Sequence, residues 1–342
     1  MSKTSVSFAF NQPGNLKPAT RERILAAAAD LGYRPSPIAR RLANRRTDQL
    51  GLVVPQSTHD VFANPFLAEL LRGIGDECDR EGIALVIVPP AGGSLARAVE
   101  AALVDGLILL GLAPDHPELE LARRAGLPVV ALDVEAWGDV DVIAVDDAAG
   151  AEAAAQHVYR LGHRDVAVVL IAEHPDAAVD EQAGISARRL AGIRAGFKAA
   201  VADADGDGSP ISLRVLSAAV SEDGGRAAFA ELAADGLPTA VIAITDMTAI
   251  GILQAAIDAG VRVPEDLSIV GYDDIPASAW TRPRMTTVHQ PIREKGRLAA
   301  RRLIDQVRSP ERRQPATDVL PTRLVVRGST APPHRGGGAS PS

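Results

Sequence analysis

Between residues 50 and 274 the chain alternates between short continuous apolar runs and longer amphipathic ones. LGLVVP (50–55), IALVIVPP (83–90), VDGLILLGL (104–112), VVALDV (129–134), DVAVVLI (165–171), AVIAI (240–244) and LSIVGYDD (267–274) have the length of strands. FLAELLRGIGDECDREG (66–82), GAEAAAQHVYRLGH (150–163), SARRLAGIRAGFKAAVA (186–202), RAAFAELAADGLP (226–238) and AIGILQAAIDAG (249–260) read as helices between them. A strand that is apolar on both faces needs both faces covered. Only βαβ units, with helices on each side of a parallel sheet, provide that. About ten such strands are many for one open sheet, so the pattern predicts two lobes. The expected fold class is therefore α/β, a two-lobed core of parallel doubly wound sheets. VVALDV and LSIVGYDD are comparable late strands that end in the carboxylates Asp133 and Asp273, and they read as equivalent edges of one cleft.

The first 46 residues are different. They hold nine Lys and Arg against Glu22 and Asp30, a balance of +7, which leaves −14 on the rest of a chain of net charge −7. A basic arm on an acidic body points to a polyanion partner for the arm alone, although a solvated basic terminus accounts for the charge equally well. Residues 2–10 read as a short helix with Ser2 as N-cap, broken by QPGN. A second helix starts at Pro18, carries Ile24, Leu25, Ala28 and Leu31 on one face and stops at Gly32. RPSP breaks the chain again before the short basic PIARRLANRR.

The remaining composition excludes several classes. One cysteine, Cys78, allows neither an internal disulfide nor a cysteine metal cage, which fits a reducing cytoplasm. No apolar leader or bilayer-length run is present, so no signal peptide and no membrane association are expected. GxxxxGK[ST], HExxH and GxSxG are all missing, and the seven histidines lack metal-ligand spacing. DADGDGS (203–209) lacks the closing glutamate of a calcium loop, and GIGDEC (73–78) lies inside a helix. Neither catalysis nor a metal or cofactor is therefore expected.

SKTSVSFAFN, TRERILAAAADLGYRPSPIARRLANRRTDQLGLVVP, NPFLAELLRGI, PVVALDV, DDAAGAEAAAQHVYRLGHRDVAVV, SARRLAGIRAGF, TDMTAIGILQAAIDAGVRVPEDLSIVGYDD and MTTVHQP follow one another in a single order. This order closely resembles the LacI/GalR repressor family over residues 2 to about 328. The resemblance implies a cytoplasmic homodimeric regulator, by family default a repressor. It would bind palindromic double-stranded operator DNA and a small-molecule effector, a sugar or related metabolite. A stand-alone solute-binding protein and a truncated sensor unable to bind DNA are the alternatives.

Residue by residue, SKTSVS is similar to the recognition helix. Lys3, Thr4 and Phe8 match its base-reading positions, with Ser5 and Ser7 toward phosphates. PIARRLANRR resembles the hinge helix, in which Leu42 wedges into the minor groove beside Ala39 while Arg40 meets phosphate. In the family a helix of roughly a dozen residues precedes the recognition helix. The start at Met1 is therefore expected to be too late, a GUG valine codon written as Met. An in-frame stop directly upstream would overturn that expectation. Asp133, Arg189 and Asp273 match the polar effector positions, Asn64 and Phe66 lie on the cleft wall, and Thr245 stands where the family often has Asn. Val220 replaces a frequent aromatic, which removes a stacking platform.

The implied domains are a partial helix-turn-helix head with hinge (1–46, hinge 36–46) and a sensing and dimerisation core (47–328). The N-lobe is expected at about 48–146 and 278–309, the C-lobe at about 147–277 and 310–328, and a disordered tail at 329–342.

Overall fold

The computed structural model describes residues 2–11, 13–33, 46–112, 126–136, 138–172, 184–203, 208–309 and 314–334, together with His116, Glu120 and Arg124. The expected hinge helix, with Ala39, Arg40 and Leu42, lies outside the described residues.

Two helices open the chain, α1 (Lys3–Asn11) and α2 (Pro18–Asp30). The Ser2 hydroxyl accepts from the Ser5 amide at 3.1 Å, as its capping role requires. Ala9, Ile24 and Ala28 are buried, and Arg21 Nε donates to the Ala9 carbonyl at 3.2 Å, tying the helices together. Leu31, expected on the packed face, is 83% exposed, because α2 stops at Asp30 and Leu31 has already left the helical register.

The first sheet is built from β1 (Gln49–Val53), β2 (Ala84–Val88), β3 (Gly106–Leu110), β4 (Val129–Leu132) and β5 (Asp141–Val145). Helices α3 (Thr58–Ala63), α4 (Pro65–Glu81) and α5 (Leu95–Ala101) connect its early strands. The short helix α3 is capped by the Ser57 hydroxyl, which accepts from the Asp60 amide. The second lobe runs α6 (Asp147–Arg160), β6 (Asp165–Ile171), α7 (Gly184–Ala202), β7 (Ser212–Ala218), α8 (Glu222–Ala234), β8 (Ala240–Ala243), α9 (Asp246–Asp258) and β9 (Ser268–Asp273). Then come β10 (Thr286–His289), α10 (Ile292–Arg308), β11 (Thr317–Leu320) and β12 (Arg323–Val325). The sheet orders are β11-β5-β4-β3-β1-β2 and β12-β10-β9-β8-β6-β7, parallel throughout except for β12 against β10.

Both sheets are covered on both faces, as continuous apolar strands demand. Ile108 and Leu110 of β3 join the cluster under α4 and α10, while Leu107 and Leu109 face the cluster containing Leu95 and Val99 of α5. Val166, Val168 and Leu170 of β6 likewise pack with α6 and α7, and Ala167 and Val169 pack with α8 and α9.

Three expected boundaries are corrected. β10 lies parallel to β9, Val288 beside Tyr272, so the chain leaves the second lobe near Gln290 and not at 278. β11 pairs with β5, so residues 317–320 belong to the first sheet and not to the C-lobe. TTVH and TDVL are too short and polar to reveal their sheet by pattern. The tail, expected to be disordered from 329, is packed as far as it is described. Ser329 is fully buried, its hydroxyl donating to the Ile269 carbonyl at 2.6 Å, and the Ala331 carbonyl lies 2.9 Å from His163 Nε2.

The crossing of α10 over α4 sets the site described next. A Cβ on Gly73 would fall 2.0 Å from the Arg293 carbonyl, and one on Gly296 2.5 Å from that of Leu70. Only glycine permits this approach, which fixes residue 295 against the first sheet.

Candidate functional site

The carboxyl ends of β4 and β9 are joined by a closed circuit of side chains. Lys295 Nζ of α10 donates to Asp133 Oδ2 at 2.5 Å and to Gln290 Oε1 at 2.9 Å. Gln290 Nε2 donates to Asp273 Oδ1 at 2.6 Å, and that oxygen lies 3.6 Å from Arg189 Nη1. Arg189 Nε donates to Asp147 Oδ1 at 2.8 Å, and the other oxygen of Asp147 accepts from Arg188 Nε at 3.0 Å. Arg188 Nη2 then returns to the Asp133 carbonyl at 2.9 Å. The circuit passes from the first lobe to the second and back.

Local structure places each member. Asp133 has φ +58°, Asp273 +120° and Asp274 +57°, a region L residues rarely adopt, at a cost of about 1–3 kcal/mol each. Arg189 and Asp147 come from the packed pair α7 and α6. The Arg189 guanidinium lies 3.6 Å from the centre of the Tyr272 ring, and Nη1 donates to the Ile244 carbonyl at 2.5 Å. Every charged member except Arg188 is at least nine-tenths buried. Charges at that depth persist only when paired.

The electrostatics differ from group to group. Burial pushes the Asp273 carboxyl up to about 6, despite the opposing pull of Arg189, Gln290 and Lys295. Burial, reinforced by Asp273, raises Asp246 well above the carboxylate range, while Thr287 Oγ1 donates to its Oδ1 at 2.6 Å and the Ile275 amide to its Oδ2 at 2.9 Å. Burial also acts to raise Asp147, but Arg189 and Arg188 outweigh it and hold that carboxyl below its ordinary value. Asp133 Oδ1 is buried with no hydrogen-bond partner among the described residues.

Of the six residues expected to hold an effector, the structure brings Asp133, Arg189 and Asp273 into the circuit. Phe66 touches it, with Lys295 Nζ 5.0 Å from its ring centre. Asn64 and Thr245 flank it as helix caps. Asn64 Oδ1 accepts from the Phe66 amide at 3.0 Å and Thr245 Oγ1 from the Thr248 amide at 3.3 Å. On α1, Thr4 is exposed and Phe8 half-buried. Sequence reasoning gave no role to Lys295, Gln290, Asp147, Arg188 or Asp246. For Lys295 a signal existed: with Ile292, Gly296, Ala299 and Leu303 it lies on the apolar stripe of α10, where a lysine is out of place. The recess lined by Gln156, Arg160 and Asp203 shares no residue with the circuit.

Comparison with known proteins gives a consistent result. A family model described as a periplasmic binding protein-like domain matches residues 155–330. The HTH-type transcriptional regulator CelR of Thermobifida fusca is 34% identical over 335 residues, covering 95% of this chain and 94% of its own length. The ribose operon repressor of Escherichia coli (strain K12) is 32% identical, with 96% of each chain covered. A solved complex of the regulator CelR with cellobiose superimposes with a TM-score of 0.70 at 30% identity, over 95% of this chain and 94% of that one. The lac repressor dimer bound to operator and the anti-inducer ONPF does so with a TM-score of 0.76 at 25% identity, over 97% and 96%.

Proposed function

Because the chain belongs to the LacI family of DNA-binding transcriptional regulators, we propose that it is a cytoplasmic homodimeric repressor whose grip on a palindromic operator is set by a sugar or related metabolite held between its lobes. It is a regulator and not an enzyme. The head comprises residues 1–46, and the sensing core begins at residue 47 and includes the packed segment through Ala331. The observation that carries the reading is the closed circuit from Asp133 through Lys295, Gln290, Asp273, Arg189, Asp147 and Arg188. Its carboxylates, guanidinium groups and amide supply directional acceptors and donors at the strand ends, where α/β sheets bind ligands. Asp133, Arg189 and Asp273 are the polar contacts, with Asn64, Phe66 and Thr245 on the wall.

At the DNA, α1 enters the major groove. Lys3 and Thr4 address base edges, Phe8 makes apolar contact, and Ser5 and Ser7 meet phosphates. The hinge segment places Leu42 and Ala39 in the minor groove and Arg40 on the backbone. The end of the hinge segment and the residues that follow it are tied to the first lobe. The Asp105 carboxylate accepts from the Thr47 amide at 2.7 Å and the Asp48 amide at 2.8 Å, and Arg46 Nη2 donates to the Val307 carbonyl at 3.0 Å. A rotation of the first lobe against the second would carry Arg46 and Thr47, at the end of the hinge segment, with it. A coupling of about 1–3 kcal/mol is typical of such linkage.

The test is fluorescence anisotropy of the protein on its own promoter DNA, with a salt titration and a panel of sugars. Expected are tight binding, a steep fall with salt and a shift of operator affinity by at least one sugar. Capture of a sugar with no salt-sensitive DNA binding would overturn the repressor reading in favour of a solute receptor or a truncated sensor.

A further inference from the structure

Lys295 is the unexpected member of the circuit. Its side chain is fully buried on the apolar stripe of α10. A buried ion pair is commonly no better for stability than apolar residues of the same volume, so packing gives no reason to keep an ammonium there.

An inventory of donors and acceptors gives one. An ammonium has three N–H donors, and this one has two acceptors among the described residues, Asp133 Oδ2 at 2.5 Å and Gln290 Oε1 at 2.9 Å. Asp133 Oδ1, on the other side of the same ion pair, is buried with no partner among the described residues. Among the described residues one donor of the ammonium and one oxygen of the carboxylate it pairs with are thus left over, and each costs free energy while it stays unmet. We infer that Lys295 is a specificity-determining residue of the cleft, reading one hydroxyl of a neutral sugar together with Asp133.

A hydroxyl both donates and accepts, so a single group donates to Asp133 Oδ1 and accepts from Lys295 Nζ. A phosphate or carboxylate offers only acceptors. It would satisfy Lys295 but sit against Asp133 Oδ1, with Asp273 linked through Gln290 nearby. An amine has the opposite fault. The Phe66 ring, 5.0 Å from Nζ, holds the ammonium in place by a cation–π contact. Gln290 bridges Lys295 to Asp273, so capture of the hydroxyl at the first lobe reaches the second.

This inference rests on the proposed sensing cleft, and the test separates the two. Isothermal titration calorimetry is run on the full chain with D-ribose, D-glucose and cellobiose. It is then repeated with each monodeoxy analogue and the phosphorylated counterpart of whichever sugar binds. The wild type is expected to lose at least tenfold for one monodeoxy analogue and at least tenfold for the phosphorylated form. Lys295→Met is expected to bind the parent sugar at least tenfold more weakly and to treat parent and analogue alike, a change in selectivity that loss of packing alone would not produce. Circular dichroism checks folding. If that variant does not fold, Lys295→Met with Asp133→Asn removes both buried charges and carries the same expectation of lost discrimination. Retained discrimination in the folded variant, or a wild type indifferent to every monodeoxy analogue, overturns the role of Lys295 alone. A wild type that binds none of the three sugars overturns the sensing reading and this inference with it.

Discussion

The ends of β4 and β9 look alike in sequence and behave differently in the fold. Each carries an aspartate at positive φ, 4% exposed for Asp133 and 6% for Asp273. At β4 the carboxylate meets a cation, Lys295, and keeps one buried oxygen without a hydrogen-bond partner among the described residues. At β9 it shares a crowded pocket with a second buried carboxylate, Asp246, and with Arg189, whose guanidinium is more closely engaged by Asp147. Two equivalent positions in a pseudo-repeated fold thus have opposite electrostatic problems, a pair to be kept together and a carboxylate that resists ionising.

The largest test of this contrast breaks the pairs. Asp133→Asn leaves the Lys295 ammonium uncompensated, and Arg189→Ala leaves Asp273 without its guanidinium and Asp147 with that of Arg188 alone, so the orphaned carboxylate there is Asp273. Each variant is expected to lower stability by about 3–5 kcal/mol in urea denaturation, the usual result of orphaning a buried charge. A loss below about 1 kcal/mol at Asp133 would mean that the ion pair is not buried as described.

Asp273→Asn should act with the opposite sign. The native carboxyl titrates at about 6 against an ordinary 3.8, so between these values the native state holds a proton that the unfolded state has released. Stability from the protonated group is fully present below about 4 and is lost as the pH rises through about 6. At about 1.4 kcal/mol per pKa unit, the asparagine variant should be about 1–3 kcal/mol more stable than wild type at pH 7 and no more stable at pH 4. Arg189, Gln290, Lys295 and Asp246 face this group and stay unchanged in the variant. Melting curves across that pH range that run parallel for the two proteins would remove the proposed difference.

The smallest test asks where the lobes remain equivalent. Asn64 caps α4 in the first lobe and Thr245 caps α9 in the second. Replacing either by alanine should cost about 1 kcal/mol in thermal melts. A much larger loss at one of them would show that its side chain does more than cap a helix.

Much of the architecture was legible before any coordinates. Continuous runs such as DVAVVLI can only be strands buried on both faces, and they predicted the parallel two-lobed core. The same reading marked Asp133 and Asp273 as paired edges. It failed where the signal was short or indirect. TTVH and TDVL carry no pattern that says which sheet they join, and the segment after Ser329 reads as a flexible tail although backbone pairing and the Ser329 hydroxyl bind it to β9. Lys295 was visible only as a charge on an apolar stripe, a clue that names no partner.

Hydrophobic periodicity is a local property written along the chain, so the sequence by itself determined the layers, the strand ends and the basic head. Which buried charges meet depends on where α10 crosses α4 and how closely Gly73 and Gly296 let it approach. A separation of 162 residues between Lys295 and Asp133 is closed only by that packing, and so the tertiary structure alone decided the circuit that joins the lobes.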